Sequence, residues 1–242
     1  MQETSELYKE LYRNTHKKET RLLIGGKDTP IEQMTVAYPE VELRQLSTSM
    51  RLFNGETPSV GDCVGSEIKI VMNYPKTQPP RQGKLVPQIR LTYGVRESEW
   101  ISKGVFFIDT RKDSGENSGV KLLTLTGFDA MLRSEQDYPS SKLDFPAYDI
   151  DVVKEIAAFM GVEIDPRTSD IMTKKYEVQY PGGEYSCRET LGYIAAMYGG
   201  CFIMNDIGQL RLVKLNSIPK GTNYLIDNNG FAITFGGVRI LV

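Results

Sequence analysis

The sequence predicts an α+β protein that is mostly β. Three observations support this fold class. Short β segments separated by turn residues fill the first half of the chain, the hydrophobic period changes from 2 to about 3.6 near Gly127, and a helix, a glycine pair and a hairpin follow one another at Ser186–Leu215. The 242 residues are enough for one large domain or two medium ones, each with its own core.

Residues 1–19 predict an N-terminal helical arm. Its helix is Glu6–Arg13, with Thr4 or Ser5 as the cap and with Leu7 and Leu11 on one face. A helix of this length is not stable alone in water. We therefore expect it to pack against a domain or against a neighbouring chain.

The range 20–135 predicts a β domain, because its short strands and its Gly-, Pro-, Asn- and Asp-rich turns are typical of a barrel or a sandwich. The predicted strands are 19–24, 34–37, 41–46, 66–72, 86–93, 100–109 and 120–126. One long loop of this half, 73–85, contains Lys76, Arg81 and Lys84. Long loops on a β scaffold are often functional, so these three residues form a candidate partner-contact loop; a solvated hairpin tip is the alternative.

The range 136–215 predicts a separate α+β domain. A short helix at Phe128–Glu135 ends the β domain, and a proline-containing linker follows it. The helix Ile150–Met160 is amphipathic and stops at Gly161, which is the residue type that a helix C-terminus favours. A strand is predicted at Tyr176–Tyr180.

The unit at Ser186–Leu215 completes this domain. Ser186 and Glu189 have the S-x-x-E spacing of a capping box, Gly199 and Gly200 stop the helix, and the strands Cys201–Met204 and Gln209–Leu215 form the hairpin. Residues 216–242 return to β-type sequence. They predict either strands that close the first part or the start of a second barrel.

The composition argues against several classes of function. With 29 basic and 31 acidic residues the net charge is −2, so we expect no specific nucleic-acid binding. No window approaches the roughly 18 consecutive apolar residues of a membrane-spanning helix, and the charged N-terminus has no secretory signal. Cys63, Cys187 and Cys201 form no CxxC pair, which favours buried thiols and synthesis in a cytoplasm; a bridge between Cys187 and Cys201 is the minor alternative.

The sequence predicts no catalytic, cofactor or metal residues. A Ser-His-Asp or Cys-His arrangement would have to use the one histidine, His16, at the end of the first helix. The carboxylate pairs Asp129 with Glu135 and Glu184 with Glu189 have structural explanations, as helix-start residues and as part of a cap. None of the glycine pairs lies in a GxGxxG or GxxxxGK[ST] motif.

Several stretches resemble the N-terminal hub portion of phage and prophage tail proteins. They are TLTGFDAMLRSEQDYPS, DVVKEIAAFMGVEID and YSCRETLGYIAAMYGGCFIMNDIGQLRLVKL. This family includes the baseplate hubs of contractile-tailed phages and the tail-tip proteins of siphophages. The upstream LSTSMRLFNGETPSVGDCVGSEIKIVM and EWISKGVFFIDT resemble prophage versions from Gram-positive bacteria. The resemblance covers Leu22–Leu215.

The resemblance implies a structural role in the virion tail. It implies a β-barrel related to tail-tube subunits over 20–135, an α+β insertion over 136–215 and then a second barrel, for which 216–242 are too few residues. It also implies a homo-oligomer, a trimer that adapts the hexameric tube to the tip, with other tail proteins as partners. The alternative is a cell-wall glycan hydrolase or a carbohydrate-binding module of a tail tip, since tail-tip proteins commonly carry such activities.

Overall fold

The computed structural model describes residues 4–26, 43–74, 83–114, 121–174, 176–215, 234–235 and 238–239. They form one large antiparallel sheet followed by a helical part with small hairpins. The predicted class, α+β and mostly β, is confirmed. Within these residues no helix is long and apolar enough to cross a membrane.

The large sheet has eight strands, all antiparallel to their neighbours. They are β1 (Lys17–Gly26), β2 (Leu43–Ser49), β3 (Glu67–Asn73), β4 (Gly83–Tyr93), β5 (Arg96–Glu97), β6 (Ile101–Ser102), β7 (Phe106–Ser114) and β8 (Leu122–Asp129). Six follow the order β1-β4-β7-β8-β3-β2, while β5 and β6 pair with β4. Strands that are far apart in sequence therefore become neighbours, as β1 and β4 do and as β3 and β8 do.

The sheet is curled but is not closed into a barrel within the described residues. Its edge strands, β1 and β2, do not pair there, although both line one cavity of about 320 Å³ that includes Lys18, Thr20 and Arg44. The prediction of a closed barrel therefore differs from the structure. The predicted strand 34–37, which falls between the two edges in sequence, lies outside the described residues.

Alternation along the central strands builds the core of the sheet. Ile68 and Ile70 of β3 and Leu123 and Leu125 of β8 are fully buried, while the residues between them point to the other face. Successive side chains of a strand face opposite sides, so a period of 2 in the sequence gives one apolar face. Phe106 of β7 packs into the same cluster.

The N-terminal arm forms α1 (Glu6–Arg13), which packs on the protein's own sheet. Ser5 caps it by accepting a hydrogen bond from the backbone N–H of Tyr8, and Leu11 is buried. Arg96 in β5 makes an ion pair of 2.6 Å with Glu10. The sequence analysis expected this helix to pack against a domain or against a neighbouring chain. The structure shows that it packs against the sheet of its own chain.

The helical part begins with a 3-10 helix, Ala130–Glu135. The remaining elements are β9 (Ala147–Tyr148), α2 (Asp149–Met160), α3 (Pro166–Ile171), β10 (Glu177–Val178), α4 (Cys187–Met197), β11 (Gly200–Met204), β12 (Leu210–Lys214), β13 (Thr234–Phe235) and β14 (Val238–Arg239). The helix predicted at Phe128–Glu135 is thus shorter than expected, because Phe128 and Asp129 still pair with β7 as the end of β8.

A second apolar core joins these elements. It contains Met131 from the 3-10 helix, Ile156 from α2, Leu191 from α4 and Phe202 from β11, all fully buried. The capping box of α4 is confirmed: the Ser186 side chain accepts from the backbone N–H of Glu189, and the Glu189 carboxylate accepts from the backbone N–H of Ser186. Met131 lies before residue 136, where the sequence predicts a domain boundary, yet it packs into this second core.

Candidate interaction surfaces

Of Lys76, Arg81 and Lys84, which form the predicted partner-contact loop, only Lys84 lies within the described residues. Lys84 lies in β4, opposite Gly25 of β1 and Phe107 of β7, so it belongs to the sheet and not to a loop. Lys76 and Arg81 lie outside the described residues. A role of these residues in partner contact stays a prediction.

The three thiols are buried and unpaired with one another, as predicted. Burial raises the pKa of the Cys63 thiol to about 12 and that of the Cys187 thiol to about 11, because an apolar environment disfavours the thiolate. The Cys201 thiol, whose pKa burial also raises, donates to the Ser59 carbonyl at 3.2 Å. Protonated, enclosed thiols are poor nucleophiles and poor metal ligands. Across the described part of the chain, no group of His, Cys, Asp and Glu side chains is arranged to hold a metal.

Three of the four carboxylates that the sequence singles out, Asp129, Glu135 and Glu189, have structural partners. Asp129 is buried and accepts from the backbone N–H groups of Ser66 and Met131 at 2.8 and 3.0 Å, which joins the loop before β3 to the 3-10 helix. Desolvation raises its pKa, although these hydrogen bonds act against that shift. Glu135 makes an ion pair of 2.6 Å with Arg188. Glu189, as described above, caps α4.

The exposed side of α4 carries apolar and aromatic side chains. We call this surface the α4 face and define it by Val60, Tyr185, Tyr193 and Met197. Tyr193 and Met197 are one turn apart and are 60% and 40% exposed, and the ring of Tyr185 packs edge-on against that of Tyr193 at 5.3 Å. Val60 borders the same cavity of about 430 Å³ as Tyr193. Exposed aromatic and methionine side chains are typical of protein–protein interfaces.

A close contact between two glycines shapes the α4 face. A Cβ on Gly192 of α4 would lie 2.7 Å from the carbonyl oxygen of Gly61, and Gly61 has a φ of +87° that favours glycine. The loop around Gly61 continues along β11, where Gly61 donates to the Gly200 carbonyl at 2.8 Å and Phe202 donates to the Asp62 carbonyl at 3.1 Å. The sequence analysis missed this contact. A glycine inside an amphipathic helix was the available signal.

Comparison with known structures identifies a similar fold. The 43 kDa tail protein of prophage MuSo2 from Shewanella oneidensis is similar with a TM-score of 0.51 at 11% sequence identity, over 87% of this chain and 58% of that one. The tail protein from Neisseria meningitidis MC58 is similar with a TM-score of 0.46 at 13% identity, over 83% of this chain and 53% of that one, a level that carries no argument.

No protein-family model and no curated protein sequence matches the chain. The chain spans 58% of the length of the Shewanella tail protein. At this low identity the similarity concerns the fold alone. Over most of its length, the chain shares the fold of a prophage tail protein.

Proposed function

We propose that the protein is a structural component of a phage or prophage tail, located in the tail tip or the baseplate hub. The observation that carries this proposal is the fold shared with the Shewanella prophage tail protein over 87% of this chain. The resemblance of the sequence Leu22–Leu215 to tail hubs supports the same role. In this role the protein is made in the host cytoplasm and then built into the virion.

The proposed hub assembles from copies of itself, as a trimer, and joins the tail tube to tip proteins. Its trimeric order rests on the resemblance to tail hubs. The α4 face supports assembly, because Val60 and Tyr193 expose 54% and 60% of their area and lie beside one cavity. A stable interface would bury such side chains at its centre. We therefore assign the contact between copies to the α4 face.

Light scattering after size exclusion tests this assembly on the full chain. We expect a trimer for the wild type and a smaller species for Tyr193→Ser, because the substitution removes an aromatic anchor that is not needed for the core. Tyr93→Ser is the matched control, since Tyr93 is 59% exposed but lies at the end of β4. Circular dichroism should be the same for all three proteins. A wild type that stays monomeric at high concentration would contradict the proposal.

A further inference from the structure

A cleft of about 620 Å³ lies at the hairpin formed by β11 and β12. Its walls come from the end of β2, the start of α3, and the hairpin with its turn. We call it the hairpin cleft, and the residues that the argument uses are Met50, Asp165, Arg167, Ile203, Ile207 and Arg211. The hairpin cleft is thus amphipathic, with apolar, amide, arginine and aspartate side chains around one opening.

Arg211 is the unusual member of this wall. It lies in β12 between Leu210 and Leu212, which face the core, and it is opposite Ile203 of β11. Arg211 therefore projects from the outer side of the hairpin, where its side chain is half-buried. Its Nε is buried and has no hydrogen-bond partner in the described part of the structure. Native proteins seldom leave a buried donor in that state.

Other half-buried arginines in the described residues have a hydrogen-bond acceptor, although Arg21 and Arg133 use the Gln88 side chain and the Met160 carbonyl and not a carboxylate. Arg90 contacts the carboxylates of Glu19 and Glu97 at 2.8 and 2.5 Å, and Arg188 contacts that of Glu135 at 2.6 Å. This pattern makes the environment of Arg211 an exception. It indicates that the partner of Arg211 is not among the groups described.

The buried carboxylate of the hairpin cleft, that of Asp165, is already saturated. Asp165 accepts from the Nε and Nη2 atoms of Arg167 at 2.8 and 2.5 Å, from the Arg167 backbone N–H at 3.0 Å, and from the Asn205 side-chain amide at 2.9 Å. Asp206 also lines the hairpin cleft, but it makes no ion pair with Arg211 within the described residues. Among the described residues, no carboxylate is therefore paired with Arg211.

We propose that the hairpin cleft binds an acidic peptide segment of a partner protein. One carboxylate of the segment pairs with the Arg211 guanidinium, which matches a carboxylate in charge and in its forked geometry. Apolar side chains of the same segment lie against Met50 and Ile207, each of which is 45% exposed. Pairing with Arg211, combined with these apolar walls, favours a peptide over a small anion. The inference goes beyond the tail role and does not depend on it.

Titration of the ¹⁵N-labelled full chain tests the proposal. The probe is the blocked peptide Leu-Glu-Leu-Glu-Leu, with Leu-Gln-Leu-Gln-Leu and inorganic phosphate as comparisons. The Nε–Hε signal of Arg211 is assigned by its loss in Arg211→Met. We expect the glutamate peptide to shift this signal, the glutamine peptide to bind roughly tenfold more weakly or worse, and phosphate to leave it unchanged. No shift with the glutamate peptide, or an equal shift with phosphate, would overturn the proposal.

Substitutions separate binding from a purely structural role. Arg211→Met keeps the apolar stem on Ile203 and removes the unpartnered donor, so we expect an unchanged or higher Tm together with the loss of peptide binding. Lys69→Gln, on the exposed side of β3, makes the same change in charge and should keep the binding. A lower Tm for Arg211→Met with unchanged peptide affinity would show that Arg211 only supports the fold.

Discussion

Replacement of Gly192 by alanine tests the packing beneath the α4 face. A methyl group at this position would lie 2.7 Å from the Gly61 carbonyl oxygen, whereas a Cβ on Gly61 would lie 2.9 Å from the Gly192 carbonyl oxygen. Both obstacles are backbone atoms, so no side chain can rotate out of the way. The loop around Gly61 has to move away from α4 instead.

Two effects of opposite sign determine how much Gly192→Ala changes the free energy of unfolding. Alanine in place of glycine inside a helix stabilises by about 1 kcal/mol. Overpacking of a tight contact costs about 1–3 kcal/mol. Moving the loop also weakens its two hydrogen bonds to β11, at 2.8 and 3.1 Å, which contribute about 1 kcal/mol each. The clash outweighs the helix propensity, and we expect Gly192→Ala to lower the free energy of unfolding by about 1–2 kcal/mol.

Urea unfolding followed by circular dichroism measures this change. Lys154→Ala in α2 is the control, because the Lys154 side chain is 56% exposed and its surface ion pair with Asp151 contributes little, so its replacement should change the free energy of unfolding by about 0.5 kcal/mol or less. If Gly192→Ala stabilised the protein by the helix-propensity gain alone, the close contact between α4 and the Gly61 loop would be refuted.

Four further predictions follow from buried polar groups and from the structural role. Asp165→Ala should destabilise by about 1–3 kcal/mol in the same assay, because it leaves Arg167 and Asn205 without their acceptor; an effect within experimental error would contradict this network. The hydrogen bond from Arg167 holds the pKa of Asp165 well below its usual range. Its contribution to stability is thus present above about pH 4 and is lost as the pH falls further, and Asp165→Asn should flatten the acid limb of the pH profile. In the folded protein at neutral pH all three thiols should resist a disulfide reagent until urea unfolds the chain, and fast modification of any one of them would contradict their burial. A peptidoglycan zymogram should show no cleared band, whereas clearing that depends on one acidic residue would favour the glycan-hydrolase alternative.

Local rules predicted the elements whose signals lie close together in sequence. The unit at Ser186–Leu215 is the clearest example, because a capping box, a glycine stop and a short turn fix its helix and hairpin almost to the residue. The predicted strands 66–72 and 120–126 likewise lie close to β3 and β8, whose apolar residues alternate with polar ones. In both cases, neighbours within a few residues decide the backbone conformation.

The remaining features depend on contacts between distant segments. Nothing near Gly61 in the sequence indicates that its loop runs along β11, and the strand order of the large sheet is non-local in the same way. The alternation of Arg211 with Leu210 and Leu212 in the sequence is consistent with its place on the outer side of β12. It does not reveal that Nε is enclosed without a partner, because Met50 and α3 complete that wall from elsewhere in the chain. The surfaces proposed for binding are therefore the least predictable part of the protein.

Immunogold electron microscopy of phage particles tests the central claim most directly. An antibody raised against this chain is applied to particles released from the host that encodes it, with particles from a strain lacking the gene as the control. We predict gold at the distal end of the tail and its absence from the control. Intact tails in the deletion strain, or protein found only outside the particles, would contradict a structural role in the tail tip or baseplate hub.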